Sequence, residues 1–123
     1  GELSRVMLAI KSILADSDGV DTMIFDEIDT GVSGKVALAI GRKMRQIAQR
    51  HQLFAITHLS SVAACAHHHY VVEKTQSADS TKTHIRELDK EEIIASLALM
   101  STNSMSESAL MAARELYESA QVK

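Results

Sequence analysis

Apolar residues recur at helical spacing near the start of the chain, at Leu3, Val6, Met7, Ile10, Ile13 and Leu14. The spacing predicts a helix over 3–15, and the DSDG that follows predicts its stop, with Gly19 as a left-handed cap. TMIF, 22–25, breaks that period. It is a short apolar run that enters a cluster of carboxylates, Asp26, Glu27 and Asp29. Without alternation, 21–26 reads as a strand covered on both faces, as in a parallel sheet. Ser33, in the TGVSG loop, is placed to cap a helix reaching about Arg50, with Val36, Ile40, Met44 and Ile47 on its apolar face. LFAIT, 53–57, predicts a second buried strand, followed by a turn or two of helix from Ser60 to Ala66.

Further on, YVVEK (70–74) and THIREL (83–88) flank the polar SADST and predict an antiparallel hairpin. Two helices close the pattern, one over 90–100 and one over 107–120. The second carries Leu110, Ala113, Leu116 and Tyr117 on one face, and STNSMSES connects the two. Strands that alternate with helices and then give way to a hairpin and two helices predict an α/β fold with mostly parallel core strands.

Composition narrows this picture. The chain's 123 residues suffice for a single domain with a modest core. Aromatics make up only 3%, so that core has to be aliphatic and rich in Met and Ala. A net charge of −3 argues against broad, non-specific nucleic-acid binding by this segment alone. The single cysteine, Cys65, excludes an internal disulfide and fits a reducing compartment. No apolar run approaches the roughly 18 residues that span a bilayer, and no signal-peptide pattern is present. The first residue is Gly1 rather than Met, which we read as the mark of a processed product or an excised piece of something longer.

The candidate chemistry lies at strand ends. Successive side chains of a strand point to opposite sides, so Asp26 and Glu27 cannot serve the same spot. One could hold a hydrated divalent cation while the other faces a separate position, such as an attacking water. Ligands of α/β sheets bind beyond the carboxyl ends of the strands, where this pair sits. The same residues also fit a strand that exits into a solvated acidic turn. His58 follows the second apolar strand directly; if the two strands are parallel neighbours, it shares a rim with Asp26 and Glu27. GELSR, 1–5, precedes a helix and could offer free backbone N–H groups to an anion.

Other patterns fail. Gly34-Lys35 lacks the earlier glycine and following hydroxyl of a phosphate loop, because Asp29 and Val36 stand there. Asp16-Ser17-Asp18-Gly19 has its glycine too early for a calcium loop. Cys65 with His67, His68 and His69 suggests metal ligands, but a strand turns alternate histidines apart. Lys35, Arg42 and Arg45 could share a helix face that meets DNA phosphates, or a face that is simply solvated.

GELSRVMLAI, FDEIDTGVSG and ITHLSSVAACA, in this order and spacing, resemble the C-terminal half of the ATPase head of the ABC/SMC superfamily of P-loop NTPases, and within it the RecN family of bacterial DNA-repair proteins. The resemblance covers most of residues 1–75, and the tail from Lys90 to Ala120 fits it more loosely. LALMSTNSMS departs from the family pattern, which has a glycine-containing stretch there.

The resemblance implies roles. MIFDE would be the Walker B strand, with Asp26 holding Mg²⁺ through water and Glu27 orienting the water that attacks the γ-phosphate of ATP. His58 would be the switch histidine that contacts the γ-phosphate. Asp29 to Ser33 would form the D-loop at the seam between two heads, and Gly1 and Glu2 the end of the signature motif, contacting ATP on the opposite head. Residues 1–123 would then be one partial domain, the C-terminal lobe of a head whose Walker A half lies elsewhere. The implied partners are the N-terminal half of its own head, a second head in a homodimer, and DNA, but no membrane. The implied place is the bacterial cytoplasm, at the nucleoid when DNA is damaged. The alternative is a non-catalytic interaction or dimerisation module, inactive in isolation.

Overall fold

The computed structural model describes residues 2–27, 31–32 and 34–121. The order of elements is the predicted one: α1 (Glu2–Asp18), β1 (Thr22–Asp26), α2 (Gly34–Ile47), β2 (Gln52–Ile56), α3 (Ser60–Ala63), β3 (Tyr70–Gln76), β4 (Thr81–Glu87), α4 (Lys90–Thr102) and α5 (Glu107–Gln121). Gly19 closes α1 at φ 65°, a left-handed conformation that glycine adopts without steric penalty. α2 stops at Ile47, short of the expected Arg50.

β1 and β2 pair in parallel, with Thr22 opposite Gln52 and Asp26 opposite Ile56. β3 and β4 pair antiparallel, Tyr70 opposite Glu87 and Gln76 opposite Thr81. The two pairs form separate sheets.

The expectation that β1 is covered on both faces does not hold. Met23 and Phe25 are buried, but Ile24 is 68% exposed. Its register partner Phe54 and the neighbouring Ile56 lie open as well. Only one face of the β1–β2 pair is packed by helices. The absence of alternation came from an apolar face that none of the described residues covers.

Two apolar clusters form, and α3 lies where they meet. The first joins Leu8 of α1, Met23 and Phe25 of β1, Val32, Ala37, Ile40, Met44 and Ile47 of α2, and Val62 of α3. The second joins Ala64 and Cys65 to Ile93, Ile94, Leu97 and Ala98 of α4 and Ala109, Ala113 and Ala120 of α5. Of the apolar positions that periodicity nominated in α1, Met7, Ile10 and Ile13 stand open, and the side chains of Leu3, Val6 and Leu14 lie outside those described; Leu8, off that face, is buried. In α2, Ala37 takes the inward place expected of Val36, which stays partly exposed.

α2 and α3 approach closely enough that only glycine fits at position 41. A Cβ there would stand 2.8 Å from the Cys65 Sγ and 3.1 Å from the Val62 Cα. Alanine would improve helix propensity by about 1 kcal/mol, yet forcing atoms into a packed interior costs about 1–3 kcal/mol. Gly41→Ala is therefore expected to destabilise by about 1 kcal/mol or more, read as a lower urea midpoint. An unchanged or higher midpoint would show that the two helices can separate freely.

At the amino ends of the strands, His51 links the α1–β1 and α2–β2 connections. Its Nδ1 donates to the Val20 carbonyl at 2.5 Å and its Nε2 to the Asp16 carboxylate at 3.0 Å. Two acceptors require both ring nitrogens to carry protons, so the cation is the bonded form. The bond to Asp16 raises the His51 pKa most, the Val20 bond adds to it, and the charge of Asp21 acts in the same direction. A raised folded pKa means that this link contributes fully below the ordinary 6.5 and fades as pH climbs through the raised value. Stability should therefore fall with rising pH above 6.5 by a component that His51→Gln removes. Identical pH slopes for the two proteins in thermal denaturation would refute it.

The hairpin stands off from the clusters, and every residue of β4 is exposed. The Leu88 amide donates to the His69 carbonyl at 2.9 Å, and Arg86 pairs with Glu92 of α4, anchoring its base. α4 opens on a capping box between Asp89 and Glu92. It closes without glycine: Asn103 takes the left-handed conformation (φ 53°) in the stretch that departs from the family pattern. Arg114 grips Glu91 with both guanidinium nitrogens, at 2.9 and 3.2 Å, and ties α5 to α4. Among the described residues, no helix is long and apolar enough to cross a membrane.

Candidate functional site at the carboxyl ends of the parallel strands

β1 delivers Asp26 to its last ladder position, opposite Ile56. Asp26 shares the open face with Ile24, and both side chains are exposed. The next residue, Glu27, leaves the strand with φ 53°, a region that non-glycine residues enter at a cost of about 1–2 kcal/mol. Its amide still donates to the Ile56 carbonyl at 3.1 Å. One bond beyond the strand thus holds the turned backbone in place. Strain of this kind persists where surrounding contacts over-determine it, and it gathers at functional sites.

The same carbonyl belongs to the last residue of β2, and His58 follows two positions later. Parallel pairing therefore brings Asp26, Glu27 and His58 to one end of one sheet, as the strand pattern predicted. Glu27 and His58 are both exposed. Gly31 turns the chain at φ 74°, and Val32 plugs the first apolar cluster, anchoring the loop between β1 and α2. Glu2 opens α1. Gly1, Asp29 and Ser33 lie outside the described residues.

A cavity of about 250 Å³ lies beside His58. Its walls come from the start of α2 (Gly34, Ala37), the segment from His58 to Ser61, and the last turn of α4 (Met100, Ser101). Asp26 and Glu27 are not among the described residues that line it. Sequence reading missed the α4 contribution, because no local pattern relates residue 101 to residue 58.

The other candidates disperse. Cys65 is buried against α2, and burial pushes its thiol pKa up despite the nearby Arg42 and Arg45 charges. His68 bonds Glu87 at 2.7 Å. Burial lowers the pKa of both His67 and His69. Among the described residues no three His, Cys, Asp or Glu side chains converge on a metal position. Arg45 is spent on structure, since its Nη1 donates to the Cys65 carbonyl at 2.8 Å, which leaves Lys35 and Arg42 exposed on that helix.

No family model matches the chain. Known proteins do. DNA repair protein RecN of Deinococcus radiodurans is 43% identical over 118 residues, covering 94% of this chain and 20% of that protein. RecN of Vibrio cholerae is 42% identical over 117 residues (94% and 21%), and RecN of Bacillus subtilis 47% identical over 100 residues (81% and 17%). The chain thus spans about a fifth of the length of these relatives. A solved structure from work on ATP-driven dimerization and DNA-stimulated activation of SMC ATPases matches all of this chain and 62% of its own, with a TM-score of 0.58 at 15% identity. At that identity the likeness speaks for fold alone, and the α/β architecture is that of an SMC-type ATPase. The RecN identities run nearly the full length of this chain, so it is similar to a segment of the RecN DNA repair proteins.

Proposed function

We propose that this chain is the C-terminal part of a RecN-like ATPase that acts in recombinational repair of DNA double-strand breaks. ATP binding joins two heads on DNA, and hydrolysis releases them. The observation that carries this reading is the strand-end arrangement: Asp26 in ladder register, Glu27 turned and held by the Ile56 carbonyl, and His58 on the same rim.

The residues present suit Mg²⁺, a hard cation that usually keeps several waters and takes one or two carboxylates together with substrate phosphates. Asp26 is the residue that would hold it, through water. When bound, the ion neutralises phosphate charge. Glu27 accepts a hydrogen bond from the attacking water and orients it. His58 contacts the γ-phosphate. Gly1, Glu2 and Ser33 contribute from the signature and D-loop segments across the head dimer. Phosphoryl transfer depends mainly on such positioning and electrostatics. The phosphate-binding Walker A loop and the remaining strands of the sheet come from elsewhere in the complete protein, which works in the cytoplasm, and the second head comes from a second copy of it. Asp26→Asn in that protein is expected to abolish Mg²⁺-dependent ATP turnover. Retention of ordinary turnover at limiting Mg²⁺ would overturn the assignment.

A second reading, a docking module without chemistry of its own, is favoured by the open apolar face of Ile24, Phe54 and Ile56. The two readings agree if that face receives the N-terminal half of the same head.

A further inference from the structure

We infer that Ser101 is a positioning residue for His58, and that the α4–α5 pair sets the placement of the His58 segment through it. This rests on the reading of His58 as a γ-phosphate contact.

α3 begins two residues after His58 and is only four residues long. So short a helix has little stability of its own, so its position is set by its neighbours. Its N-cap residue, Leu59, makes no side-chain capping bond. Instead, the Ser101 hydroxyl of α4 donates to the Ser60 hydroxyl at 2.7 Å and meets the first residue of α3. At the other end, the Gln121 amide of α5 donates to the Ala64 carbonyl at 2.8 Å. The C-terminal helices therefore hold α3 at both ends. On the strand side, the Leu59 amide donates to Thr57 Oγ1 at 3.0 Å, so the segment between β2 and α3 has few ways to move independently. Met100 and Ser101 also line the cavity that His58 lines. A shift in the last turn of α4 is transmitted over this short path to the histidine.

The test uses the full-length protein and follows ATP turnover, nucleotide affinity and thermal midpoint for Ser101→Ala, Ser60→Ala, the double variant, Ser101→Thr and His58→Ala. Each serine-to-alanine change is expected to lower kcat about three- to tenfold, the range of one neutral hydrogen bond, with nucleotide affinity unchanged and the melting midpoint lowered by no more than the loss of that one bond costs. The double variant should be no worse than either single one, because both remove the same bond. Ser101→Thr, which keeps the hydroxyl, should restore turnover. Wild-type kcat in Ser101→Ala, or losses that multiply in the double variant, would overturn the inference while a large loss in His58→Ala leaves the functional reading standing. Unchanged turnover in His58→Ala would overturn that reading and this inference with it.

Discussion

Glu27→Gln in the complete protein should leave ATP binding intact and slow hydrolysis by about 10²-fold or more, the usual contribution of a positioned general base. Glutamine has nearly the same shape, so the turned backbone at φ 53° and the amide bond to the Ile56 carbonyl should survive. What disappears is the negative charge that would polarise the attacking water. Removing it also relieves repulsion with Asp26 next door, which works against any loss of nucleotide affinity. The heads should therefore remain engaged around unhydrolysed ATP. Single-turnover phosphate release, with sedimentation in the presence of ATP, checks both halves of the expectation. Turnover near wild type would remove Glu27 from the water-orienting role.

The second large effect concerns residues 1–123 produced alone. They contain no GxxxxGK[ST] stretch, and phosphoryl transfer requires backbone amides and a lysine around the phosphates. Purified on its own, this chain should show no Mg²⁺-dependent ATP turnover. It should also self-associate. Ile24, Phe54 and Ile56 are 68%, 50% and 57% exposed on one sheet face, and Ile13 of α1 is 68% exposed. Re-burying half of such a side chain is worth about 1 kcal/mol, and clustered apolar exposure of this kind marks an interaction surface or an aggregation liability. Sedimentation velocity should reveal oligomers, and Phe54→Lys should shift them toward monomer. A monodisperse monomer of the unsubstituted chain, or steady turnover of ATP, would contradict the expectation.

The strand pattern by itself called for cover on both faces, whereas the reading of the chain as part of a larger head called for an exposed apolar face or edge, and Ile24, Phe54 and Ile56 form one. TMIFD and QLFAI have the apolar composition of doubly covered strands, but a local pattern does not tell which segment, if any within the chain, packs on each face. The same limit applied in α1, where helical spacing nominated Met7, Ile10 and Ile13 but the described contact runs through Leu8. In α2 the face drawn through Ile40, Met44 and Ile47 was correct. There the partners, β1 and α3, lie within the chain.

Local periodicity and the order of motifs were enough for the elements found among the described residues, the parallel pairing that unites Asp26 with the rim of His58, and the hairpin. Helical and strand periods, turn residues and caps are properties of neighbours along the chain, so they can be read from it. Tertiary structure alone decided the left-handed turn at Glu27, the demand for glycine at position 41, the shared proton-bearing link of His51 to Asp16 and Val20, and the bond from Ser101 to Ser60. Each of these depends on atoms 21 to 41 residues apart, or on a carbonyl in another strand. Which distant groups meet is settled by how helices and strands pack, not by the spacing of residues within them.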